Sequence, residues 1–423
     1  MSHAPRSKLS LHIIINTIGT YLSIGFSLIF VLVLTRMLGR VEYGTLTVLL
    51  GVIYIGATIL DCGVTTVIYS AIPPLYKGGQ ATQLDTLIKT ILYYQTICAT
   101  IAVGLLIVLF PFLDSRFLHT NAPPLTYIIT ALSILGFVWQ NTIQNMLMAM
   151  GKFFEVNAWF NVSNIVRLIA LGIIYIYSSV TIFWIICIFG IVGPGVFLGA
   201  LLYAYTHRVK GVAEALADRE LLMFRHSLTS FLAQQFFNIG MRVDLFVLAY
   251  FGLKNALGDY GIAQKIILSI ISIVVSITQV LSPEFALVKT KDQMKKLIKR
   301  SVAFLLVPTA LFLVLTITPG WVFGLVFTHK FTDTPSLTRS LGLVYSIFGL
   351  GQILWLSLLY TFKKAHSLLY TNIIFFIIVS VCNLIFIPIY GAHGAPIALF
   401  ISFVIMSIAQ GHILWREYQK LPL

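Results

Sequence analysis

Long apolar runs with almost no charge inside them constrain this chain more than any other feature. Only 10% of its 423 residues are charged, while 58% are hydrophobic. A soluble domain has about a quarter of its residues charged, which covers its surface. Because this chain carries so few, its outer surface must face lipid. Each run of about 20 apolar residues can then cross a bilayer as a helix, and the length accommodates about twelve.

Short polar, glycine-containing or proline-containing joints separate the runs, with Pro73 and Pro74 at one of them. We place the spans at residues 10–35, 43–69, 84–110, 123–149, 155–177, 181–206, 223–252, 258–287, 297–319, 336–362, 366–389 and 393–415. The first run follows Arg6 and Lys8, as in a signal peptide, but it is too long for one, and no small-residue cleavage site follows. We expect it to be retained. The predicted fold class is an all-α integral membrane protein.

Lysine and arginine residues are unevenly distributed among the joints. With the N-terminus in the cytoplasm, the cytoplasmic segments carry more than three times as many of them as the opposite side. This predicts an even number of spans and cytoplasmic N- and C-termini. The run over residues 289–300, with six lysine and arginine residues, contributes strongly. Attraction to anionic lipid headgroups is a second interpretation of that run.

The longest polar stretch falls midway along the chain and divides it into two halves. We predict an N-lobe over residues 1–206, a cytoplasmic linker over residues 207–222 and a C-lobe over residues 223–423. In each half a Tyr-Gly pair follows a charged turn at the start of the second span: Tyr43-Gly44 and Tyr260-Gly261. The equivalent positions indicate a duplication, and a parallel repeat would place a substrate path between the halves.

Polar side chains recur at steps of three and four within several spans, which puts each set on one helix face. Two interpretations remain open, since small polar residues commonly hold helices together, whereas faces that include Asn, Gln and Arg are typical of a water-filled cavity. We predict a cavity with a polar lining of Asn16, Asn161, Asn164, Gln234, Asn238, Ser272 and Gln279.

Charged residues at membrane depth are costly and usually face a cavity or a partner. Arg167 lies about twelve residues into the fifth span, near mid-membrane, and Arg242 lies in the seventh. Together they predict a sparse cationic lining, which suits a phosphate because arginine offers it paired hydrogen bonds. The alternative is an arginine paired with a carboxylate, for which Asp61 is the natural candidate. Asp61 is otherwise a candidate site for a coupling proton or cation.

A second carboxylate, Asp244, has a different predicted partner. It lies about eight residues before the turn that joins the seventh and eighth spans, and Lys265 lies about seven after it. At about 1.5 Å per residue the two reach the same depth. We therefore predict a structural ion pair between Asp244 and Lys265.

No catalytic or cofactor motif occurs in the sequence. There is no GxxxxGK[ST] loop, no HExxH and no dinucleotide fingerprint. The nine histidines are scattered and the four cysteines form no CxxC pair, so we expect no metal, cofactor or disulfide framework. The segments outside the spans are too short for a catalytic region. We expect a transporter and not an enzyme, and no nucleic-acid partner.

Four local motifs, in order along the chain, carry a family resemblance. They are Arg36-Met37-Leu38-Gly39 with Tyr43-Gly44, Asp61-Cys62-Gly63-Val64, Arg242-Val243-Asp244 with Gly258-Asp259-Tyr260-Gly261, and Tyr390-Gly391-Ala392-His393-Gly394-Ala395-Pro396-Ile397-Ala398. The chain resembles the Wzx-type O-antigen flippases, polysaccharide biosynthesis proteins of the MOP exporter superfamily. Val64 and Pro396 are mild departures from the family's pattern.

The resemblance implies a MATE-like fold with two six-helix lobes related by a pseudo-two-fold axis. It implies a flippase that moves an undecaprenyl-diphosphate-linked oligosaccharide, such as the O-antigen repeat unit of lipopolysaccharide, from the cytoplasmic to the periplasmic leaflet of the bacterial inner membrane by alternating access. A coupling proton or sodium ion and polysaccharide assembly proteins are its implied partners. Arg167 and Arg242 match the basic cavity residues by position. The alternative is a cation-coupled drug or metabolite exporter of the same superfamily, which the excess of buried cations over carboxylates disfavours.

Overall fold

The computed structural model describes residues 6–177, 180–199, 224–327 and 330–422. The predicted linker at residues 207–222 lies outside these ranges, and the side chains of residues 6–17, including that of Asn16, are also not described. Within the described ranges the regular structure is helical throughout, with no strand. This agrees with the predicted fold class, because a lipid-facing chain must satisfy its backbone hydrogen bonds within each segment.

The N-terminal half contains eight helices in its described part. They are α1 (Arg6–Met37), α2 (Arg40–Ile59), α3 (Val64–Lys77), α4 (Ala81–Leu113), α5 (Pro124–Ala149), α6 (Phe153–Tyr177), α7 (Ile182–Cys187) and α8 (residues 193–199). Two short π-helical segments extend α4 and α7, at Asp114–Leu118 and Ile188–Val192.

The described C-terminal half also contains eight helices. They are α9 (Phe224–Gly240), α10 (Val243–Tyr250), α11 (Lys254–Ala286), α12 (Lys291–Ile317), α13 (Gly320–Phe327), α14 (Thr334–Leu356), α15 (Ala365–Tyr390) and α16 (Gly394–Gln419). A π-helical segment, Ser357–Thr361, extends α14, and a 3₁₀ turn at Gly391–His393 joins α15 to α16.

Ten stretches of the described chain are long and apolar enough to cross a membrane. One of them, Ala365–Gln419, contains both α15 and α16 and therefore covers two predicted spans. The predicted seventh span, 223–252, is interrupted between α9 and α10, and neither helix reaches 18 residues. The prediction of a multi-pass, all-α membrane fold is confirmed.

The predicted second span, 43–69, is wrong in its C-terminal part. The helix α2 ends at Ile59, and the chain turns before α3 through Cys62 (φ 48°) and Gly63 (φ 82°). A left-handed pair of this kind stops a helix, and glycine adopts it at little cost. The predicted joint at Pro73 and Pro74 is also wrong, because α3 continues through both prolines to Lys77.

One face of α4 shows how the helices meet lipid. Ile101, Leu105 and Val108, spaced by four and three residues, are 66%, 59% and 76% exposed. A continuous apolar stripe of this kind is unfavourable in water and is favourable in a bilayer. The chain is therefore a multi-pass membrane protein.

The described residues group by their contacts into two units. Unit 1 takes Met1–Val33, Leu49–Arg116 and Thr120–Phe231, and unit 2 takes Leu34–Val48, Phe117–His119 and Leu232–Leu423. The turn between α1 and α2 is thus part of the unit that contains the C-terminal helices. The predicted lobe boundaries, 1–206 and 223–423, stay a prediction.

Each unit has its own apolar core. In unit 1, Ile68 and Ile72 of α3 pack with Leu87 and Ile91 of α4. In unit 2, α14 packs against α11, α12 and α16. Aromatic rings fill that core, where Phe375 and Phe403 stack with their centroids 5.5 Å apart. These cores hold the polar helix faces described below in fixed positions.

Candidate functional site

Arg167 on α6 is a buried cation with unused hydrogen-bonding capacity. Its side chain is only 6% exposed. The Nη1 atom donates to Oδ1 of Asn164 at 3.1 Å, and the guanidinium lies 4.9 Å from the ring centroid of Phe189. The Nε and Nη2 atoms are buried and donate to no described residue. The site therefore presents two buried donor nitrogens that have no partner among the described residues.

Gly193, in unit 1 with Arg167, makes room for this guanidinium. A Cβ atom at residue 193 would clash with Nε, Nη2 and Cζ of Arg167. The backbone carbonyl of Gly193 is itself held by Ser163 on α6, whose hydroxyl donates to it at 2.6 Å. Glycine is required here because the arginine lies directly against the backbone that follows the π-helical segment Ile188–Val192.

An aromatic cluster lies against the other side of the guanidinium. The ring of Phe189 is 5.5 Å from that of Phe137 on α5 and 6.0 Å from that of Tyr54 on α2. The aromatic face offers a cation a favourable electrostatic contact. Among the residues that the structure describes, Arg167 is therefore positioned by a neutral amide and an aromatic ring, and no carboxylate pairs with it.

The polar side chains of α6 lie on one face of the helix, and two of them contact α1. Asn161 donates to the backbone oxygen of Gly19 at 3.2 Å, and Asn164 donates to the hydroxyl of Ser23 at 3.1 Å. These contacts support the interpretation that polar residues hold helices together. Asn164 also accepts from Arg167, and Oδ1 of Asn161 is buried with no described donor. The structure thus brings three of the predicted residues, Asn161, Asn164 and Arg167, onto one helix face in unit 1.

Arg242 lies in unit 2, at the break between α9 and α10. Its Nη1 atom donates to Oε1 of Gln264 on α11 at 2.9 Å, and the side chain is half-buried. The break was not evident from the sequence. Because Arg242 precedes α10 directly, its position depends on a helix end and not on a continuous transmembrane helix.

The predicted ion pair between Asp244 and Lys265 is absent from the ion pairs of the described residues. The buried carboxylate of Asp244 instead accepts from the Tyr260 hydroxyl, from the backbone N–H of Leu245 at 2.7 Å and from Gln264 at 3.5 Å. Tyr260 and Gln264 are four residues apart on α11 and share one face, whereas Lys265 is turned about 100° away from it. Asp244 and Lys265 lie at a similar depth along their helices, but Lys265 is not on the face of α11 that meets Asp244.

The remaining predicted lining residues whose side chains the structure describes belong to unit 2, whereas Arg167 belongs to unit 1. Gln234 on α9 is exposed and donates to Asn238 one turn away at 3.0 Å. On α11, Ser272 donates to the backbone oxygen of Leu268, and Gln279 is exposed. Both of these hydrogen bonds are local to one helix. Their assignment to a cavity stays a prediction.

Asp61 caps the start of α3. Its carboxylate accepts from the hydroxyl of Thr65 at 2.6 Å and from the backbone N–H of the same residue. Asn145 on α5 donates to the Thr65 hydroxyl at 3.1 Å and accepts from Tyr69 at 3.2 Å. Among the described residues Asp61 and Arg167 form no ion pair. No spacing in the sequence indicated the partner on α5.

A buried ion pair secures the turn between α1 and α2 within unit 2. Arg40 pairs with the fully buried carboxylate of Asp259 and lies 3.2 Å from that of Asp333. Thr334 donates to Asp259 through its hydroxyl at 3.0 Å. The two Tyr-Gly pairs meet here, since a Cβ atom at Gly44 would clash with the backbone of Lys254 and one at Gly261 would clash with the side chain of Thr47. The motifs therefore encode a close helix contact.

Comparison with solved structures shows which fold the chain shares. An inward closed conformation of the lipid II flippase MurJ superposes with a TM-score of 0.73 at 15% identity, covering 95% of this chain and 87% of that one. An outward-facing multidrug resistance MATE family transporter of the MOP superfamily gives 0.69 at 14% identity, with 96% and 95% covered. A MOP superfamily transporter from Pyrococcus furiosus, described as having a binding pocket of reverse polarity, gives 0.67 at 14% identity, with 96% and 95% covered. The fold is that of MOP superfamily transporters.

The sequence itself matches a family described as polysaccharide biosynthesis protein over residues 11–289. The chain belongs to this family, as its motifs indicated. No curated protein matches the sequence.

Proposed function

We propose that the protein is a flippase for an undecaprenyl-diphosphate-linked oligosaccharide, and that Arg167 meets the diphosphate. The observation that carries this proposal is the buried guanidinium with two donor nitrogens, Nε and Nη2, that donate to no described residue. Burying a cation without a carboxylate partner costs free energy in the protein without ligand. An anionic ligand that accepts from Nε and Nη2 would relieve that cost.

Phosphate chemistry fits the geometry of the site. The Nε and Nη2 atoms form one edge of a planar guanidinium, a group that pairs with two oxygens of a phosphate once a ligand reaches this edge beside Gly193. Ser163 and Asn164, on the same helix, are neutral and leave the positive charge uncompensated. The neutral amides Asn161 and Asn164 are suited to sugar hydroxyls. Arg242, half-buried in unit 2, is the second candidate for the diphosphate.

The same proposal covers the identity of the sugar, the membrane in which the protein lies and the transport cycle. The sugar is an O-antigen or similar surface polysaccharide repeat unit, and the protein lies in the bacterial inner membrane with both termini in the cytoplasm. Transport proceeds by alternating access of the two lobes, coupled to a proton or sodium ion, and involves no catalysis. Membership of the polysaccharide biosynthesis family and the fold shared with a lipid II flippase support this direction.

The alternative is a drug or metabolite exporter, since other structural neighbours are multidrug resistance transporters. A cationic drug needs a carboxylate at its site. Among the described residues, Arg167 contacts the amide of Asn164 and the ring of Phe189, both neutral. A positive charge at this position repels such a drug, which favours the flippase.

Deletion of the gene in its host distinguishes the two functions. If the protein is a flippase, deletion should abolish long-chain surface polysaccharide on a gel, and lipid-linked repeat units should accumulate on the cytoplasmic face. Wild-type protein should restore the pattern, while Arg167→Ala should not, and Arg116→Ala should serve as the matched control because Arg116 is exposed. An unchanged polysaccharide pattern together with increased sensitivity to cationic drugs would assign the exporter instead.

A further inference from the structure

A basic groove with an apolar wall lies where α11 ends and α12 begins, in unit 2. Its volume is about 380 Å³, which corresponds to about a dozen water molecules. The lining includes Leu287, Val288, Leu297, Lys296, Arg300 and Glu284. The groove is far along the chain from Arg167 and belongs to a different unit from it.

The groove lies at the end of two membrane spans. It is formed around the connection between Lys254–Ala286 and Lys291–Ile317, both long and apolar enough to cross a bilayer. The π-helical segment after α14 contacts the end of α11, because the Thr361 hydroxyl donates to the backbone oxygen of Phe285 at 2.7 Å. Two aromatic side chains, Trp355 and Tyr360, contact each other near this segment. Such residues are enriched at the height of lipid headgroups.

The charge around the groove is strongly positive. Residues 284–300 contain six lysine and arginine residues and two acidic ones. The acid in the groove, Glu284, is already paired with Arg300 at 3.1 Å. Lys296 is exposed and takes part in none of the ion pairs of the described residues. A second negative charge, supplied from outside the chain, would therefore be attracted to Lys296 and Arg300.

The apolar wall suits a ligand that is not a free ion. The side chain of Leu287 is 75% exposed, beside Val288 and Leu297 of the lining. Arg300 also packs over the ring of Phe304 at 5.6 Å, which keeps its stem along an apolar surface. A phosphate on the cations with an ester-linked chain along Leu287 would use both parts of the groove.

We infer that this groove binds an anionic phospholipid of the surrounding leaflet, with the headgroup phosphate on Lys296 and Arg300 and the glycerol ester against Leu287 and Leu297. Each cation near an anionic lipid contributes roughly a fivefold gain in affinity. This site is separate from the proposed transport site and does not depend on the identity of the transported lipid.

The test uses the purified full-length protein, stripped of lipid in a neutral detergent. Phosphatidylglycerol or phosphatidylcholine is titrated, and bound lipid is counted by native mass spectrometry. Lys296→Gln with Arg300→Gln should weaken phosphatidylglycerol binding by about 25-fold. The control, Arg116→Gln with Lys254→Gln, removes the same charge outside the groove and should bind as wild type does.

Lys296→Gln alone keeps the Arg300–Glu284 pair and should weaken phosphatidylglycerol binding about fivefold, so the inference stays testable if the double variant does not fold. The inference is overturned if both variants bind phosphatidylglycerol as tightly as wild type. It is also overturned if phosphatidylcholine binds equally well, or if inorganic phosphate displaces the phosphatidylglycerol, since a free anion would then be the ligand.

Discussion

A single methyl group at Gly193 would move Arg167 without removing its charge. Gly193 has helical backbone angles (φ −60°, ψ −60°), so alanine fits the backbone without strain. Its Cβ atom, however, would clash with the guanidinium, and real Cβ atoms stay more than 3.0 Å from their neighbours. The flexible arginine must therefore shift by about 1 Å. Gly193→Ala thus tests the position of the cation separately from its presence.

The size of the effect follows from the hydrogen bonds at stake. A shift of about 1 Å takes a donor–acceptor distance of about 2.9 Å beyond the range of a hydrogen bond. A hydrogen bond to a charged group contributes about 1.5–3 kcal/mol. We therefore expect Gly193→Ala to weaken the binding of undecaprenyl diphosphate by about 10- to 100-fold.

The assay is equilibrium binding of undecaprenyl diphosphate to the purified protein in nanodiscs, followed by microscale thermophoresis. Gly195→Ala is the matched control, because a Cβ atom at residue 195 has open space within 4 Å. The melting temperature of each variant reports any general loss of packing. If Gly193→Ala binds the diphosphate as tightly as Gly195→Ala does, Arg167 does not meet it and the reasoning fails.

Substitutions at three further residues test other contacts of the fold. Asp259→Ala should lower stability by about 1–3 kcal/mol, because it removes the fully buried acceptor of Arg40 while Asp333 remains 3.2 Å from that guanidinium; a melting temperature unchanged from wild type would contradict this. Asp61→Ala should cost about 1 kcal/mol through loss of a helix cap, whereas Asp61→Asn should keep both stability and the polysaccharide pattern. Loss of the pattern in a stable Asn variant would assign ion coupling to Asp61. Tyr260→Phe should lower stability by about 1.5–3 kcal/mol, since it removes a donor to buried Asp244, and unaltered thermal unfolding would refute that role.

The hydropathy of the chain predicted the membrane fold, because a long apolar run crosses a bilayer whichever helices it packs against. It did not predict where the runs are broken. The turn before α3 depends on left-handed backbone at Cys62 and Gly63, and the interruption at Arg242 leaves the apolar pattern almost unchanged. Breaks of one to four residues do not alter an average over about 20.

The candidate site was predictable only in part, for a similar reason. Arg167 stood out because a charge at mid-membrane is rare. Its neighbours Phe189 and Gly193 come from a distant segment, and nothing in their sequence context links them to α6. The expected pair of Asp244 with Lys265 failed because depth along a helix is readable from the sequence, while rotation toward a neighbouring helix depends on packing.

Translocation in reconstituted vesicles tests the central claim most directly. A fluorescent undecaprenyl-diphosphate-linked oligosaccharide is placed in one leaflet of vesicles that contain the purified protein, and its arrival in the other leaflet is followed by a membrane-impermeant quencher. The flippase predicts rapid translocation with wild type and Arg116→Ala, and a rate near that of empty vesicles with Arg167→Ala. Equal rates for wild-type and empty vesicles, under an imposed proton or sodium gradient, would contradict the proposed function.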